Sequence, residues 1–291
     1  MGFNALAAIV ALVLLVRFSR RRAWAAARSR HPVGPDGIIV GAAGYELERP
    51  GAPAVLVLHG GGDTPQTVRY LSDELYARGF HVVAPLLPGH GRTIREFSRV
   101  TASALTDSAF ASYHALRERD TPVGIIGVSM GGALAVQVAA ATPDLPALGL
   151  VAPYLAMRPK ASRLARTSRL WGVLVPAFES SEGFSIRDPE ERDKNLAYGV
   201  FTAGALRALY VTVQRAVAAL PRVTAPTLMI QSREDNRIDK EDAERAFARL
   251  GARDKRLEWT AGAAHIITVD YGREHVIELL ASWMEERLVS R

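Results

Sequence analysis

The chain has 291 residues, a formal net charge of +6 and no cysteine. Hydrophobic residues make up 48% and charged residues 23%, which is the composition of a folded protein and excludes a disordered chain. Without cysteine there is no disulfide framework, no thiolate nucleophile and no cysteine-based zinc site. Much of the positive charge is concentrated near the N-terminus, so it favours a membrane-proximal segment over a nucleic-acid partner.

The N-terminal segment combines an apolar run with a basic flank. Residues 2–16 carry no charge, and the arginines that follow are Arg17, Arg20, Arg21, Arg22, Arg28 and Arg30. The run is at the short limit for a spanning helix, which needs about 20 apolar residues. A cleaved signal peptide would carry its charge before the run, and an arginine flank fits a buried core helix badly. We therefore interpret residues 1–30 as a membrane-anchor helix with a basic flank. We expect residues 31–291 to form one domain, and the positive-inside rule places this domain and the basic flank on the cytoplasmic side.

From residue 38 onward, short apolar runs alternate with longer amphipathic ones. Strands are predicted at 54–58, 80–84, 123–128, 147–152, 227–232 and 256–260, and helices at 67–78, 102–119, 131–141, 205–220, 240–250 and 271–288. Such alternation predicts an α/β fold with a mostly parallel sheet flanked by helices. The stretch over about 153–225 is too long for a simple crossover. We expect it to form an inserted helical cap over the carboxyl ends of the strands, where open parallel sheets bind ligands.

A nucleophile motif lies between a predicted strand and a predicted helix. The residues Gly127-Val128-Ser129-Met130-Gly131 match the pattern G-x-S-x-G. Glycines are needed because the serine backbone is strained and larger side chains would collide in the turn. The following helix directs its free N–H groups at developing negative charge. A glycine-rich turn with an incidental serine is the alternative, and the strand–turn–helix context favours Ser129 as a nucleophile.

A second glycine motif, His59-Gly60-Gly61-Gly62, follows the first predicted strand. We expect the N–H groups of Gly61 and Met130 to hold an oxyanion, with Gly60 and Gly62 next to the substrate. His59 is interpreted as a structural brace for this loop. A phosphate-binding loop is the alternative, but no Lys-Ser or Lys-Thr pair follows the glycines.

A serine nucleophile needs an imidazole to take its proton and a carboxylate to orient the imidazole, and after a strand–turn–helix motif of this kind the chain order is serine, acid, then histidine. There are seven histidines, and only His265 and His275 follow Ser129. His265 lies in a loop of small residues after the last predicted strand, where it can reach back over the sheet. His275 lies inside the closing helix in a charged context and is expected to face solvent. The sequence therefore favours His265 as the base.

The acid should lie in the loop after the strand at 227–232, where the candidates are Glu234, Asp235 and Asp239. Asp235 is favoured because it lies far enough past the strand end to bend inwards. Asp239 is interpreted as the N-cap of the helix that begins at Lys240, and Glu234 remains possible. The spacing of these acids does not match a metal site, so no metal and no cofactor are implied.

These motifs give the chain a family resemblance. The runs L-V-L-H-G-G-G, V-V-A-P-L-L-P-G-H-G, G-V-S-M-G-G, A-P-T-L-M-I-Q-S-R-E-D and A-G-A-A-H-I-I-T-V-D occur in order between residues 55 and 283. Together they resemble the bacterial carboxylesterase and monoacylglycerol lipase group of α/β-hydrolases. The resemblance implies Ser129, Asp235 and His265 as a catalytic triad, with Gly61 and Met130 as oxyanion donors. One departure is Gly61, where that group often carries a bulky apolar residue.

The function expected from these residues is hydrolysis of carboxylic esters through an acyl-enzyme. The apolar cap residues Leu155, Trp171 and Phe178, with Ile266 beside the base, could line an acyl tunnel or merely pack the cap onto the core. A membrane anchor would suit a monoacylglycerol-like or other lipid ester. The alternatives are an acyl-thioesterase or acyltransferase, a peptidase, and a non-catalytic membrane-tethered binding protein. The sequence predicts no oligomeric state.

Overall fold

The computed structural model of the chain describes residues 2–26, 31–119, 122–175, 177–179 and 185–289, with the backbone alone at 2–6, 20, 23, 25, 26 and 179. The strands are β1 (Tyr45–Leu47), β2 (Ala54–Leu58), β3 (His81–Ala84), β4 (Val123–Val128), β5 (Leu148–Val151), β6 (Ala177–Glu179), β7 (Val200–Thr202), β8 (Thr227–Ser232) and β9 (Lys255–Thr260). The α-helices are α1 (Gly2–Ala26), α2 (Arg69–Ala77), α3 (Ile94–Phe97), α4 (Ala102–Arg119), α5 (Met130–Ala141), α6 (Pro159–Trp171), α7 (Pro189–Lys194), α8 (Ala203–Ala219), α9 (Lys240–Arg249) and α10 (Arg273–Leu288).

Seven strands form one sheet in the order β1-β3-β2-β4-β5-β8-β9. The edge strand β1 is antiparallel to β3, and the other neighbours are parallel. The mostly parallel sheet flanked by helices is therefore confirmed. After β2 the chain adds β3 on one side of this strand and then β4 on the other, so the direction in which the sheet grows reverses between β2 and β4. Open parallel sheets bind ligands at the carboxyl ends of the strands near such a reversal.

The central strands are buried on both faces, which explains their unbroken apolar runs. In β2, Leu56 and Leu58 pack into the cluster that includes α4 and α5. The alternating Val55 and Val57 pack into the opposite cluster with α2 and α10. Each side chain of β2, β4 and β8 is buried. The loops at the carboxyl edge are thus attached to a fixed support.

Element boundaries differ from the prediction where turn chemistry intervenes. The expected helix at 67–78 is divided into a 3-10 turn, Pro65–Val68, and α2. The closing helix begins at Arg273 because Gly272 adopts a left-handed conformation with φ 76°. Such a conformation ends regular helix geometry and is easiest for glycine. The short edge strand β1 and helix α3 were not predicted.

The expected cap region over about 153–225 contains α6, α7, α8 and a two-stranded antiparallel sheet of β6 and β7. This small sheet was not predicted. Helix α8 packs on α4 and α5, and α6 packs on α8. The segment from Ser185 to Asn195 contacts the loops that follow the core strands β2, β8 and β9. The insertion therefore lies beside the carboxyl edge of the sheet.

The N-terminal segment forms α1, whose described side chains are mostly exposed. Its exposed large apolar residues are Ile9, Val10, Leu12, Val13, Leu14, Leu15 and Phe18. Near its C-terminal end, Ser19 Oγ donates a hydrogen bond to the carbonyl of Leu174 at 3.2 Å, and the guanidinium of Arg95 lies 5.7 Å from the centre of the Trp24 ring. Among the residues that the structure describes, no helix is both long and apolar enough to cross a bilayer, so a spanning segment is not supported.

Candidate active site

Ser129 lies on a tight turn between β4 and α5. Its backbone has φ 53° and ψ −116°, a strained conformation for a residue with a side chain. A methyl group on Gly127 would lie 2.4 Å from the carbonyl oxygen of Gly131, and one on Gly131 would lie 2.1 Å from that of Leu58. Both positions therefore require glycine. The turn places the Ser129 hydroxyl at the carboxyl edge of the sheet.

His265 lies in the loop after β9 and reaches this hydroxyl. Its Nε2 is 2.8 Å from Oγ of Ser129, and both residues are buried. The loop is held in place because Ala263 accepts a hydrogen bond from Ser232 Oγ at 2.6 Å and Ile266 donates its N–H to the carbonyl of Ser185 at 2.9 Å. An imidazole in this position can accept the serine proton.

Asp235 lies behind the imidazole on the loop after β8. Nδ1 of His265 is 2.8 Å from Oδ2 and 3.0 Å from Oδ1 of this carboxylate. The N–H groups of Arg237 and Ile238 also donate to Oδ1, at 2.7 and 3.0 Å. Burial raises the pKa of the Asp235 carboxyl, but His265 and these hydrogen bonds outweigh burial and hold the pKa below its usual value. The group is therefore an anion suited to orienting the imidazole.

The two expected oxyanion donors are neighbours. A methyl group on Gly61 would lie 3.4 Å from Cβ of Met130, so the two backbones approach closely. Met130 is the first residue of α5, and the first N–H groups of a helix have no partner within it. The N–H of Met130 therefore follows the nucleophile directly, and the backbone of the other expected donor, Gly61, lies against Met130.

His59 braces the loop before these donors. Its Nδ1 donates to the carbonyl of Gly60 at 2.9 Å, and its Nε2 accepts the N–H of Leu87 at 3.0 Å. Burial lowers the pKa of His59 to about 3, so the ring is neutral and keeps one donor and one acceptor. This contact pattern is that of the expected structural brace.

The comparisons with known proteins agree with this geometry. A family model described as serine aminopeptidase, S33 (Hydrolase_4) matches residues 50–271, which is more than half of the chain. The chain belongs to this family. It is a serine hydrolase with the α/β-hydrolase fold, and the family resemblance given by its motifs is confirmed.

Two relatives and one solved structure indicate the group of serine hydrolases to which this chain is similar. A thermostable monoacylglycerol lipase from Bacillus sp. (strain H-257) is 28% identical over 241 residues, covering 83% of this chain and 93% of that protein. A carboxylesterase from Bacillus subtilis (strain 168) is 28% identical over 240 residues, covering 81% and 94%. A structure described for the metagenome-derived lipolytic enzymes LipS and LipT has a TM-score of 0.79 at 30% identity, covering 88% of this chain and 100% of that chain. The chain therefore lies in the carboxylesterase and monoacylglycerol lipase group, with a serine esterase or lipase type of activity.

The other candidate acids and the other late histidine have different contacts in the hydrolase. Glu234 accepts the N–H of Gly262 at 3.2 Å and so braces the loop that carries the imidazole. Asp239 stands at the N-cap of α9, but its side chain makes no capping bond and instead accepts from Arg158 at 3.0 Å. The predicted N-cap position of Asp239 is therefore confirmed, although its side chain does not supply the capping hydrogen bond. His275 is exposed on α10, as predicted.

Sequence reasoning missed Gln231, which holds the carboxylate of Asp235. Gln231 is fully buried at the end of β8, and its Nε2 donates to Oδ2 of Asp235 at 2.6 Å. A polar side chain inside the apolar run of β8 was the available signal, because a buried amide needs partners.

Sequence reasoning also missed Asp270, which organises the histidine loop. Its buried carboxylate accepts the N–H groups of Ala264, Arg187, Asp188 and Tyr271 at 2.7 to 3.0 Å. It thereby joins the loop before His265 to the cap region. No local pattern indicates this role, because two of the donors lie more than 80 residues away.

The expected substrate-binding residues fall into separate groups. A methyl group on Gly60 would lie 3.4 Å from Cβ of Ser129, while Gly62 has φ 80° and lies near Phe97. Leu155 is buried in the core cluster. The remaining residues lie in or against the cap: the rings of Trp171 and Phe178 are 5.6 Å apart, and Ile266 packs with Ile186. Among the described residues, no group of acids and histidines could hold a metal ion.

Proposed function

We propose that this chain hydrolyses carboxylic esters of the monoacylglycerol type through an acyl-enzyme on Ser129. The observation that carries the proposal is the continuous line of hydrogen bonds from the Ser129 hydroxyl through His265 to Asp235. Serine is a weak nucleophile unless an adjacent base removes its proton, and this line supplies the base and the group that orients it.

In the first step His265 takes the Ser129 proton at Nε2 while Oγ attacks the ester carbonyl carbon. The carbonyl oxygen becomes an oxyanion next to the N–H groups of Gly61 and Met130. The intermediate then collapses, the ester C–O bond breaks, and Nε2 returns the proton to the leaving alcohol. Water repeats the sequence on the acyl-enzyme, which releases the acid and restores Ser129. Removing one oxyanion donor costs about 100- to 1,000-fold in rate in related chemistry.

A lipid ester is the substrate class that the relatives and the cap favour. The matched relatives are named as a monoacylglycerol lipase and a carboxylesterase. In the cap, Phe178 lies against Trp171 and also stacks on Phe201, with ring centres 6.3 Å apart. Aromatic surface of this kind suits an aliphatic chain. We therefore place the acyl chain along these rings, together with Leu155 and Ile266.

The test is a comparison of the wild-type chain with Ser129→Ala. We expect wild-type protein to release alcohol from nitrophenyl esters and from monolauroylglycerol and to react with a fluorophosphonate probe. Ser129→Ala should lose turnover and labelling with an unchanged melting temperature. Esterase activity that survives in Ser129→Ala contradicts the nucleophile. Absence of labelling in the wild-type chain would favour a non-catalytic binding protein.

The same protein can be assayed against the alternative acyl substrates. Acyl-CoA thiol release tests a thioesterase, and transfer of the acyl group to an added alcohol tests an acyltransferase. An aminoacyl nitroanilide tests the peptidase activity named in the family description. A kcat/KM for any of these above that for monolauroylglycerol would replace the ester assignment.

We also propose that residues 1–30 hold the enzyme at a membrane, with the catalytic domain on the cytoplasmic side. Support comes from exposed apolar surface on α1 beside exposed Leu170, Val173, Leu174 and Val175 of the cap. The neighbouring face of α6 carries exposed Arg163, Arg166 and Arg169. Apolar surface flanked by arginine suits an anionic bilayer, which each nearby cation favours by about 1 kcal/mol.

Vesicle sedimentation tests this membrane proposal. We expect the full chain to pellet with phosphatidylglycerol vesicles, and deletion of residues 2–26 to release it. Charge reversal of Arg163, Arg166 and Arg169 together should weaken the pelleting, whereas reversal of exposed Arg245 on α9 should not. A deletion variant that still binds as tightly as the full chain contradicts the role of α1.

A further inference from the structure

One segment of the cap contacts both loops that carry the acid and the base, although none of its residues has a part in the proposed chemistry. This segment, residues 185–195, is called the strap below; it lies between the cap strands β6 and β7 and contains α7. Residues 185–188 of the strap make the contacts with the two loops. The strap can therefore act on the catalytic residues without touching the substrate.

The strap holds the chain directly after the base. Ile266, the neighbour of His265, donates its N–H to the carbonyl of Ser185 at 2.9 Å. Ile186 of the strap packs with Ile266 and Val269 in a small buried cluster. One polar and one apolar contact thus fix Ile266, so the strap sets the position of the backbone on the C-terminal side of the imidazole.

Asp270 connects the strap to the chain directly before the base. Its carboxylate is fully buried and accepts the N–H of Ala264 at 2.7 Å. The same carboxylate accepts the N–H groups of Arg187 and Asp188, each at 2.9 Å. A buried carboxylate needs such donors, so the strap and the loop are held to one common group. Both chain neighbours of His265 are therefore bonded to the strap, one directly and one through Asp270.

The strap is also bonded to the loop of the acid. Oγ of Ser185 accepts a hydrogen bond from Nε of Arg237 at 3.0 Å. The backbone N–H of Arg237 in turn donates to Oδ1 of Asp235 at 2.7 Å. Ser185 is thus bonded to the base loop by its carbonyl and to the acid loop by its hydroxyl. This single cap residue links the two loops whose distance decides the bond between imidazole and carboxylate.

Acid and base both lie on loops, which are the more mobile parts of a protein. A catalytic group works well only when it is held within about 0.5 Å of its productive position. Attachment of the cap does not by itself need bonds to these loops, because α7 is attached to α2 elsewhere. There, the Tyr70 hydroxyl donates to the buried Glu191 carboxylate at 3.0 Å. The bonds of residues 185–188 therefore supply something further, a fixed geometry between acid and base.

We propose that Ser185 and Asp270 are positioning residues, through which the cap fixes Asp235 and His265 for proton transfer. This inference rests on the proposed ester hydrolysis and gives the strap an effect on the rate of the chemical steps rather than on substrate affinity. Acylation and deacylation both use His265. Loss of the strap's bonds should therefore lower kcat with little change in KM, even for an ester with a short acyl chain.

The test compares Ser185→Ala and Asp270→Asn with the wild-type enzyme on nitrophenyl acetate, which has no long chain to lie along the cap rings. The kcat is expressed per site that reacts with a fluorophosphonate probe, so unfolded protein does not count. We expect Asp270→Asn to lower kcat by about 10- to 100-fold, because a small displacement of the imidazole is costly. Ser185→Ala loses one hydrogen bond from a charged donor and should lower kcat by about 3- to 10-fold. In both variants KM should stay within about 2-fold of the wild-type value.

Two matched controls separate positioning from general disturbance. Asp193→Asn changes an exposed aspartate on the same strap. Ser103→Ala removes another serine hydroxyl that accepts from an arginine, since Ser103 on α4 accepts from Arg215 at 3.4 Å. Both controls should keep the wild-type kcat and KM. Ser185→Ala leaves Asp270 and its donors in place, so it decides the question if Asp270→Asn does not fold.

An unchanged kcat per labelled site in Ser185→Ala would overturn the inference for Ser185, and the same result in Asp270→Asn would overturn it for Asp270. A higher KM with an unchanged kcat would overturn it too and make the strap part of the substrate site. An equal loss of kcat in the controls would show a general disturbance and would contradict it as well. If the wild-type enzyme hydrolyses no nitrophenyl ester and does not label, the proposed function itself fails, and this inference fails with it.

Discussion

Asp235 and Asp63 have buried carboxylates on two different loops near the same imidazole, and the two carboxylates have opposite environments. The carboxylate of Asp235 accepts from His265, two backbone N–H groups and Gln231. The carboxylate of Asp63 has one oxygen without a partner in the described chain. The pKa of Asp235 is below its usual value, whereas burial raises the pKa of Asp63 to about 6.

This difference separates two uses of a buried charge. A carboxylate that is fully hydrogen-bonded is stable as an anion and can serve as a fixed part of the catalytic machinery. A carboxylate with an unpartnered acceptor oxygen lowers stability, because it loses its hydration without gaining a full set of hydrogen bonds. Burial alone therefore does not decide whether a carboxylate is stable as an anion. The number of hydrogen bonds that its oxygens accept is the better guide.

The largest expected effect comes from removing the charge of Asp235. Asp235→Asn should lower kcat on a nitrophenyl ester by about 10,000-fold, because an amide favours the wrong tautomer of His265. Steady-state kinetics and a fluorophosphonate labelling rate would measure this loss. The matched control is Asp239→Asn on the same loop, since Asp239 is exposed and pairs only with Arg158 in the described contacts. A loss of less than 10-fold in Asp235→Asn would contradict its assignment.

A smaller loss should follow when Asp235 keeps its charge but loses one donor. Gln231→Leu removes the amide that lies 2.6 Å from Oδ2, while the bonds from Arg237 and Ile238 remain. We expect kcat to fall about 10-fold with KM unchanged, since the remaining bonds keep most of the orientation. Gln231→Asn has a shorter amide side chain, so its kcat should lie between those of Gln231→Leu and the wild-type enzyme. A KM effect without a kcat effect would show that Gln231 serves substrate binding instead.

The core and its reacting residues were predictable because their signals are local. Strand β4 and helix α4 have the predicted bounds, since an unbroken apolar run or a helical spacing fixes each of them. Ser129 and Gly61 were likewise marked by glycine motifs whose spacing is set by steric limits within a few residues. His265 followed from chain order.

The unpredicted features depend on contacts between distant segments. Asp270 binds N–H groups of residues 187 and 188, and the strands β6 and β7 pair across about 20 residues of cap. The unpartnered oxygen of Asp63 could not be predicted from the position of this residue after the glycines. Hydrogen-bond partners depend on which distant segments meet in the fold. The polar character of Gln231 was visible in the sequence, but its partner was not.

The third prediction concerns stability and its dependence on pH. The pKa of Asp63 is about 6 in the folded protein and 3.8 for an ordinary aspartate, so the folded state holds the proton more tightly between these values. Stability contributed by this group is therefore present below about pH 4 and is lost as the pH rises to about 6. Asp63→Asn removes the buried charge and should be more stable than the wild-type protein at about pH 8, by at most about 3 kcal/mol.

Urea unfolding of both proteins across this pH range would measure the difference. The difference in the free energy of unfolding between Asp63→Asn and the wild-type protein should grow between about pH 4 and pH 6 and then stay constant. The unfolded and folded pKa values of Asp63 lie at the two ends of this range. Burial lowers the pKa values of His59 and His90 to about 3 and about 4, but both histidines are present in each protein and cancel. A less stable Asp63→Asn at neutral pH would mean that the carboxylate supports the fold after all.

The smallest effect should appear in a double-mutant cycle between Asp63 and Arg237. The charge of Arg237 lowers the pKa of Asp63, so it partly offsets the cost of burial. Arg237→Gln should therefore destabilise the wild-type protein more than it destabilises Asp63→Asn, with a coupling free energy of about 0.5 to 1 kcal/mol at about pH 8. At about pH 5 Asp63 is mostly protonated, so the coupling free energy should shrink. The hydrogen bond from Arg237 to Ser185 is lost in both arms of the cycle and therefore cancels. A coupling that is independent of pH would show that packing, rather than the charge of Asp63, links this residue to Arg237.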